Sequence, residues 1–183
     1  MDTGVIVAIV VVAVLAVIAV GAWISMQRGR ESKRVREHFG TEYDHAVGTA
    51  DNRREAEKEL ESRKARVERL HIRELKADER DRYADAWRVT QTRFVDDPVR
   101  SIEDADNLVQ EVMNLRGYPI TNFEQQAADV SVDHPDVVRN YRAAHDIAEA
   151  SERQEATTED LRQAMVHYRA LFADLLGASP VAR

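Results

Sequence analysis

The sequence predicts an all-α protein: an N-terminal transmembrane helix, a charged juxtamembrane helical arm, and an antiparallel bundle of about four helices. Three observations carry this. From Gly4 to Ile24 no side chain is charged or strongly polar. In the second half of the chain, apolar residues recur at helical spacing in one segment after another. Gly (7) and Pro (4) are scarce, and no run alternates apolar and polar residues long enough to make a strand.

The run 4–26, after a tail of residues 1–3, is the expected span. Its uncharged part, 4–24, makes a helix about 31 Å long, close to the hydrocarbon thickness of a bilayer. A cleavable signal would have a shorter apolar region behind a basic start, whereas the only early side-chain charge is Asp2. Arg28, Arg30, Lys33, Arg34 and Arg36 follow the run directly. Basic residues beside a span favour the cytoplasmic face, so the N-terminus is expected outside and the remainder in the cytosol of a cell membrane. Trp23 sits where interfacial aromatics collect. Gly4 and Ala8 form one small-xxx-small pair, which leaves room for weak self-association, although ordinary span composition accounts for it.

Charge divides at the same place. Residues 1–36 carry five basic and two acidic side chains, a balance of +3, and the rest carries 21 basic and 31 acidic, or −10, within the total of −7. An acidic soluble part argues against nucleic-acid binding. The absence of Cys excludes disulfides and thiolate chemistry.

Residues 27–71 form the arm. Gly40 and Gly48 interrupt its first half, and from about Asp51 Ala, Glu, Lys, Arg and Leu dominate. Glu55–Lys58, Glu59–Arg63 and Glu61–Lys64 are spaced for ion pairs along a helix. Ala56, Leu60, Val67 and Leu70 make a thin stripe, a candidate coiled-coil seam in which Arg53 and Arg63 occupy intervening positions. A solvated stalk helix with one edge on its own domain fits this better.

The bundle is expected over 72–177, with 178–183 as a tail. Its first helix, about 78–95, places Tyr83, Ala86, Trp87, Thr90 and Phe94 on one face and ends at Asp96-Asp97-Pro98. The second starts at Ser101 with Asp104 as a loose capping box, carries Ala105, Leu108, Val109, Val112 and Leu115, and stops at Gly117. A short helix follows Thr121–Glu124. The third long helix begins near Pro135, capped by Asp133, with Val137, Val138, Tyr141, Ala144 and Ala148 inward. After a connector at 151–156, Thr157 and Asp160 cap the last helix. Its stripe of Leu161, Ala164, Met165, Tyr168, Phe172 and Leu175 closes at Gly177.

No phosphate loop, nucleophile elbow, zinc-protease, di-iron or EF-hand pattern is present. No catalytic residues, cofactor or dedicated metal site are therefore assigned. The one convergence is Asp133, His134, Tyr141 and His145. On a helix started near residue 134 the last three lie within about 40° of one another, as metal or acid–base groups would. Packing and capping explain these residues better: Asp133-His134-Pro135 reads as a helix start, and His145 lies on the edge of the apolar stripe. Arg88, Arg93, Arg116, Arg139, Arg142 and Arg169 read as solvated faces among acids.

The run VQEVMNLRGYPITNFEQQAADVSVDHPDVVRNYRAAHDI, then TTEDLRQAMVHYRALFADLL, with SRKARVERLHIREL before them, resembles an uncharacterised family of small bacterial single-pass membrane-anchored helical proteins. That resemblance implies a bacterial source and a cytoplasmic-membrane address, and brings no activity or binding residue with it. The expected function is a membrane-tethered helical interaction or scaffold module that presents an acidic cytosolic bundle to a protein partner. The alternative is a ligand- or metal-binding sensor built on the Asp133/His134/Tyr141/His145 group.

Overall fold

A computed structural model describes residues 19, 20, 23, 26, 27 and 30–177. The expected span lies almost wholly outside these residues, as do the tails 1–3 and 178–183. Among the described residues no helix is long and apolar enough to cross a membrane. The chain divides into two compact units, Met1–His38 and Phe39–Arg183. In the first, every described residue is helical, and Val20, Trp23 and Met26 are exposed.

The second unit is all-helical over its described residues: α1 (Thr41–Thr49), α2 (Arg53–Val67), α3 (Ala77–Arg93), α4 (Pro98–Arg116), α5 (Phe123–Asp133), α6 (Val138–Glu152) and α7 (Thr158–Leu175). Helices α4, α6 and α7 pack on one another, α3 lies on α4, and α5 on α6. The hairpin α1–α2 adds to this through α2 on α5 and α1 on α6. Beyond residue 72 the unit has the four long helices expected and the short one between them, and α1 and α2, expected as part of a separate arm, join them. It begins at Phe39, so residues 39–71 belong to the same body as the helices beyond 72.

The core follows the apolar stripes. Ile102, Ala105, Val109 and Val112 of α4 meet Val138, Tyr141 and Ala144 of α6 and Leu161, Ala164, Tyr168, Leu171 and Leu175 of α7. Trp87 of α3 stacks on Phe172 of α7 with ring centroids 4.5 Å apart. Buried tyrosines need a partner for their hydroxyls. Tyr168 donates to Asp106 at 2.9 Å and Tyr118 to Asp133 at 2.7 Å. Ala56, Leu60 and Val67 bury the inner edge of α2.

Several boundaries differ from expectation, each for a local reason. Helix α4 starts at Pro98, not Ser101: the fixed φ of Pro suits the first helical position, and Asp97 accepts from the Arg100 N–H. Ser101 is instead fully buried inside the helix. Asn122, not Thr121, caps α5 by accepting from the Gln125 N–H at 2.9 Å. Pro135 does not begin a helix; it ends one. The residue before a proline is pushed out of the α region, and His134 (φ −129°, ψ 51°) closes α5 there, so α6 starts only at Val138. Helix α6 also runs to Glu152, into the expected connector. The Thr157–Asp160 capping box on α7 is present, and Gly117 ends α4 in the left-handed region at φ 106°.

Gly117 also permits a close approach. A Cβ there would lie 2.6 Å from the His71 carbonyl oxygen. The non-helical segment 71–76 therefore runs tight against the end of α4, and the Arg73 N–H donates to the Arg116 carbonyl at 2.8 Å. This strap ties the α1–α2 hairpin to the bundle.

Phe172→Ala is expected to cost about 3–5 kcal/mol, because it opens a cavity beneath Trp87 in a closed core. Chemical denaturation followed by circular dichroism checks this, with an unchanged denaturant slope required for the comparison.

Candidate functional site

The four residues singled out from the sequence fall in two pairs, Asp133 with His134 at the end of α5, and Tyr141 with His145 on α6, both against Phe123. Asp133 is the last residue of α5 and accepts from the Tyr118 hydroxyl. Tyr141, within α6, is directed at Gln126 of α5, 3.3 Å away. His145 stacks on Phe123 with centroids 3.5 Å apart and lies 3.4 Å from Glu149. His134 sits off α6 altogether. Their expected convergence assumed one continuous helix from residue 134, and the turn at 135–137 breaks it. Among the described residues no group of three or more His, Asp or Glu is placed to hold a metal ion.

His134 is nonetheless a defined electrostatic centre. Its Nδ1 meets Asp174 of α7 and its Nε2 lies 2.9 Å from an Arg116 nitrogen. A guanidinium only donates, so Nε2 accepts and the ring proton sits on Nδ1, facing Asp174. The imidazole is neutral in this arrangement. Burial pushes its pKa below 6.5, opposed by the Asp174 hydrogen bond and reinforced by the Arg116 charge. Arg116 also donates to the Leu175 carbonyl at 3.2 Å, and Arg80 to the Leu176 carbonyl at 2.7 Å. Two arginines thus satisfy carbonyls at the C-terminal end of α7, where positive charge complements the helix dipole. Both faces of the imidazole edge are occupied by protein, which suits a clasp between α4, α5 and α7. Nearby, Arg73 grips Glu79 with two nitrogens, at 2.7 and 2.9 Å, and holds its carboxyl down at about 2, aided by the Lys76 N–H.

The sequence reading missed a second polar layer between the hairpin and the bundle. Glu42 of α1, with its side chain 2% exposed, accepts from Arg63 of α2 at 2.7 Å and from Arg142 of α6 at 3.0 and 3.1 Å. One turn along α2, Arg66 pairs with Asp129 of α5 at 2.6 Å, and Gln125 donates to the same carboxylate oxygen. Arg63 stands where the coiled-coil seam would need an apolar residue. That misfit was the available signal, and it marks an ion pair to the chain's own α1.

The open surface is different in character. Between α3 and α4 runs a groove of about 580 Å³, lined by Ala86, Val89, Leu108 and Ile120 with Asp104, Asn107, Glu111 and Asn114 along its α4 side. Val89 is 58% exposed and Ile120 69%. Of the exposed large hydrophobics among the described residues of the second unit, Val89, Val95, Val99 and Ile120 lie on or beside these two helices and only Val166 lies elsewhere. Val89 falls outside the Trp87 stripe, and an apolar residue off the stripe was the sequence signal for this face. In the first unit, Arg30, Lys33, Arg34 and Arg36 are exposed on a helix, whereas Arg28 lies outside the described residues. Comparison with protein families, curated proteins and solved structures finds no match for this chain.

Two outcomes follow from the buried groups. A histidine held neutral in the fold has a lower pKa there than when unfolded. Stability is therefore complete above the ordinary value of 6.5 and falls as pH drops below it toward the lowered value. Denaturant midpoints measured across that range are expected to decline with acid in the native protein and less in His134→Asn, which keeps a donor for Asp174 without titrating. Glu42→Gln removes the one carboxylate that Arg142 pairs with and leaves Arg63 only Glu59, and equilibrium unfolding is expected to show a loss of about 1–3 kcal/mol.

Proposed function

We propose that this chain is a membrane-tethered helical interaction module, anchored by residues 4–26, that presents an acidic bundle in the cytosol to a protein partner through the α3–α4 groove. The observation that carries the reading is the exposure of Val89 and Ile120 on the walls of that groove. The length of the uncharged run and the basic cluster after it support the anchor and its orientation. The exposed positions of Val20, Trp23 and Met26 agree with a segment surrounded by lipid.

A metal or ligand sensor built on Asp133, His134, Tyr141 and His145 has less support, because each of these side chains is engaged by a different neighbour.

The test is in-cell photocrosslinking of the full chain in a bacterial host. A photoreactive residue at Val89 is expected to give a discrete adduct heavier than the chain itself, while the same residue at Val166 gives none. Equal patterns at the two sites would remove the groove as the contact surface. A fluorescent protein fused after residue 183 is expected to fluoresce and alkaline phosphatase fused there to be inactive; the reverse would overturn the orientation.

A further inference from the structure

We propose that the α1–α2 hairpin is a hinged cover, which swings off the outer face of α5 as a unit while the bundle stays folded. From Gln126 to Val132 every residue of α5 is buried, so this helix has neighbours all round. Its two faces meet different ones. Ala127 and Val130 belong to the bundle core, whereas Ala128, Asp129 and Val132 lie on the opposite side of the helix. There Arg66 of α2 holds Asp129, and Arg63 lies 3.5 Å from the Ser131 hydroxyl. The hairpin's own apolar side chains, Tyr43, Ala46, Ala56, Leu60 and Val67, are buried but stand outside the contiguous core of the bundle. The joint thus runs between two separate bodies of apolar contact.

Three features suit that joint to opening. The ion pairs Glu42–Arg142 and Arg66–Asp129 cross it, and charges released to water regain the hydration that burial cost them. Glu42 keeps Arg63 of its own hairpin when it leaves Arg142, and Tyr43 keeps Glu57 at 2.8 Å, so the hairpin carries internal contacts with it. Next, Asp129 is 1% exposed and its Oδ2 has no hydrogen-bond partner among the described residues. A buried acceptor left unpaired is a standing cost, and water meets it when α2 lifts. Last, the link is short and lies between fixed points. Leu70 still donates to the Val67 carbonyl at the end of α2, while the Arg73 N–H is held by the Arg116 carbonyl at 2.8 Å and Leu75 is in the bundle core. Rotation about Leu70 and His71 is enough to swing one body from the other, since hinges are a few residues at element ends.

The chain has no Cys, so a single introduced thiol reports on one place. The full chain in phosphatidylcholine nanodiscs carries Ser131→Cys at the joint or Ser101→Cys in the bundle. Both serines are fully buried, and the substitution is nearly isosteric. Iodoacetamide labelling is followed by mass spectrometry, each rate divided by that of the same variant unfolded in urea. Ser131→Cys is expected to label about ten-fold faster than Ser101→Cys or more, because a local opening needs less free energy than unfolding of the core. Adding Phe172→Ala, which weakens the bundle, is expected to speed Ser101→Cys and leave Ser131→Cys unchanged. Adding Glu42→Gln is expected to speed Ser131→Cys about ten-fold, the scale of one lost hydrogen-bonded charge pair.

Equal normalised rates at the two positions would overturn the cover. So would an equal acceleration of both by Phe172→Ala, since hairpin and bundle would then open only together. A rate at Ser131→Cys that Glu42→Gln does not raise would overturn it as well, because α5 would then be fluctuating beneath a hairpin that stays shut. If circular dichroism shows Ser131→Cys unfolded, Ala128→Cys on the same joint takes its place and is read in the same way.

Discussion

One buried carboxylate sets the joint between the α1–α2 hairpin and the bundle. Glu42 is almost fully buried and is shared by Arg63 from the next helix and Arg142 from α6. A buried ion pair often adds little net stability over a well-packed apolar contact, but an unpaired buried charge is costly. The consequence is register more than strength. The hairpin must close with Glu42 opposite both guanidinium groups, and α2 then lays Ala56, Leu60 and Val67 inward and Arg66 onto Asp129. The strap at 71–76 completes the join, because only glycine at 117 lets the His71 carbonyl come so close.

What could be read in advance divides along a physical line. The α7 stripe was legible residue by residue, because a long amphipathic helix with a capping box declares its period and its start together. The cap at Gly117 was legible for the same local reason. The 133–145 region was not, because a proline can open a helix or close the one before it. Asp-His-Pro reads as a start when the preceding helix looks short. In the fold that helix runs three residues further than its apolar pattern, and His134 takes the restriction imposed by Pro135. The expected convergence depended on one helical phase from residue 134, and the chain changes phase at the turn. The buried arginines were illegible for another reason. A charged residue on an apolar stripe looks like a solvated interruption until its partner, 21 residues away for Arg63 and 100 away for Arg142, is brought against it in space.

His134 shows how the same ingredients can be structural. An Asp–His pair with a third polar group is the arrangement that orients catalytic imidazoles. In such sites the second nitrogen faces a substrate or a nucleophile. Here it faces Arg116, which is itself committed to the carbonyl end of α7. The imidazole accepts from a permanent cation, so it is fixed in one tautomer and cannot take up a proton without losing that bond. Its chemistry is spent on holding three elements together.

The groove stands out against that background. Elsewhere in the second unit, Glu42, Asp129 and His134 are tied to internal partners, and the apolar stripes of α4, α6 and α7 close on one another. Helix α3 covers only part of α4, and its own Val89 turns away from the Trp87–Phe172 stack that anchors it. A bundle shaped by burial alone gains nothing from a valine there, beside an isoleucine in the loop after Pro119 and an acid with no ion pair on the facing helix. These three features are independent in sequence: one on α3, one on α4 and one between α4 and α5. They meet only in the folded chain. Their agreement on one open surface is the reason for proposing that surface, and not the histidine-bearing turn, as the docking site.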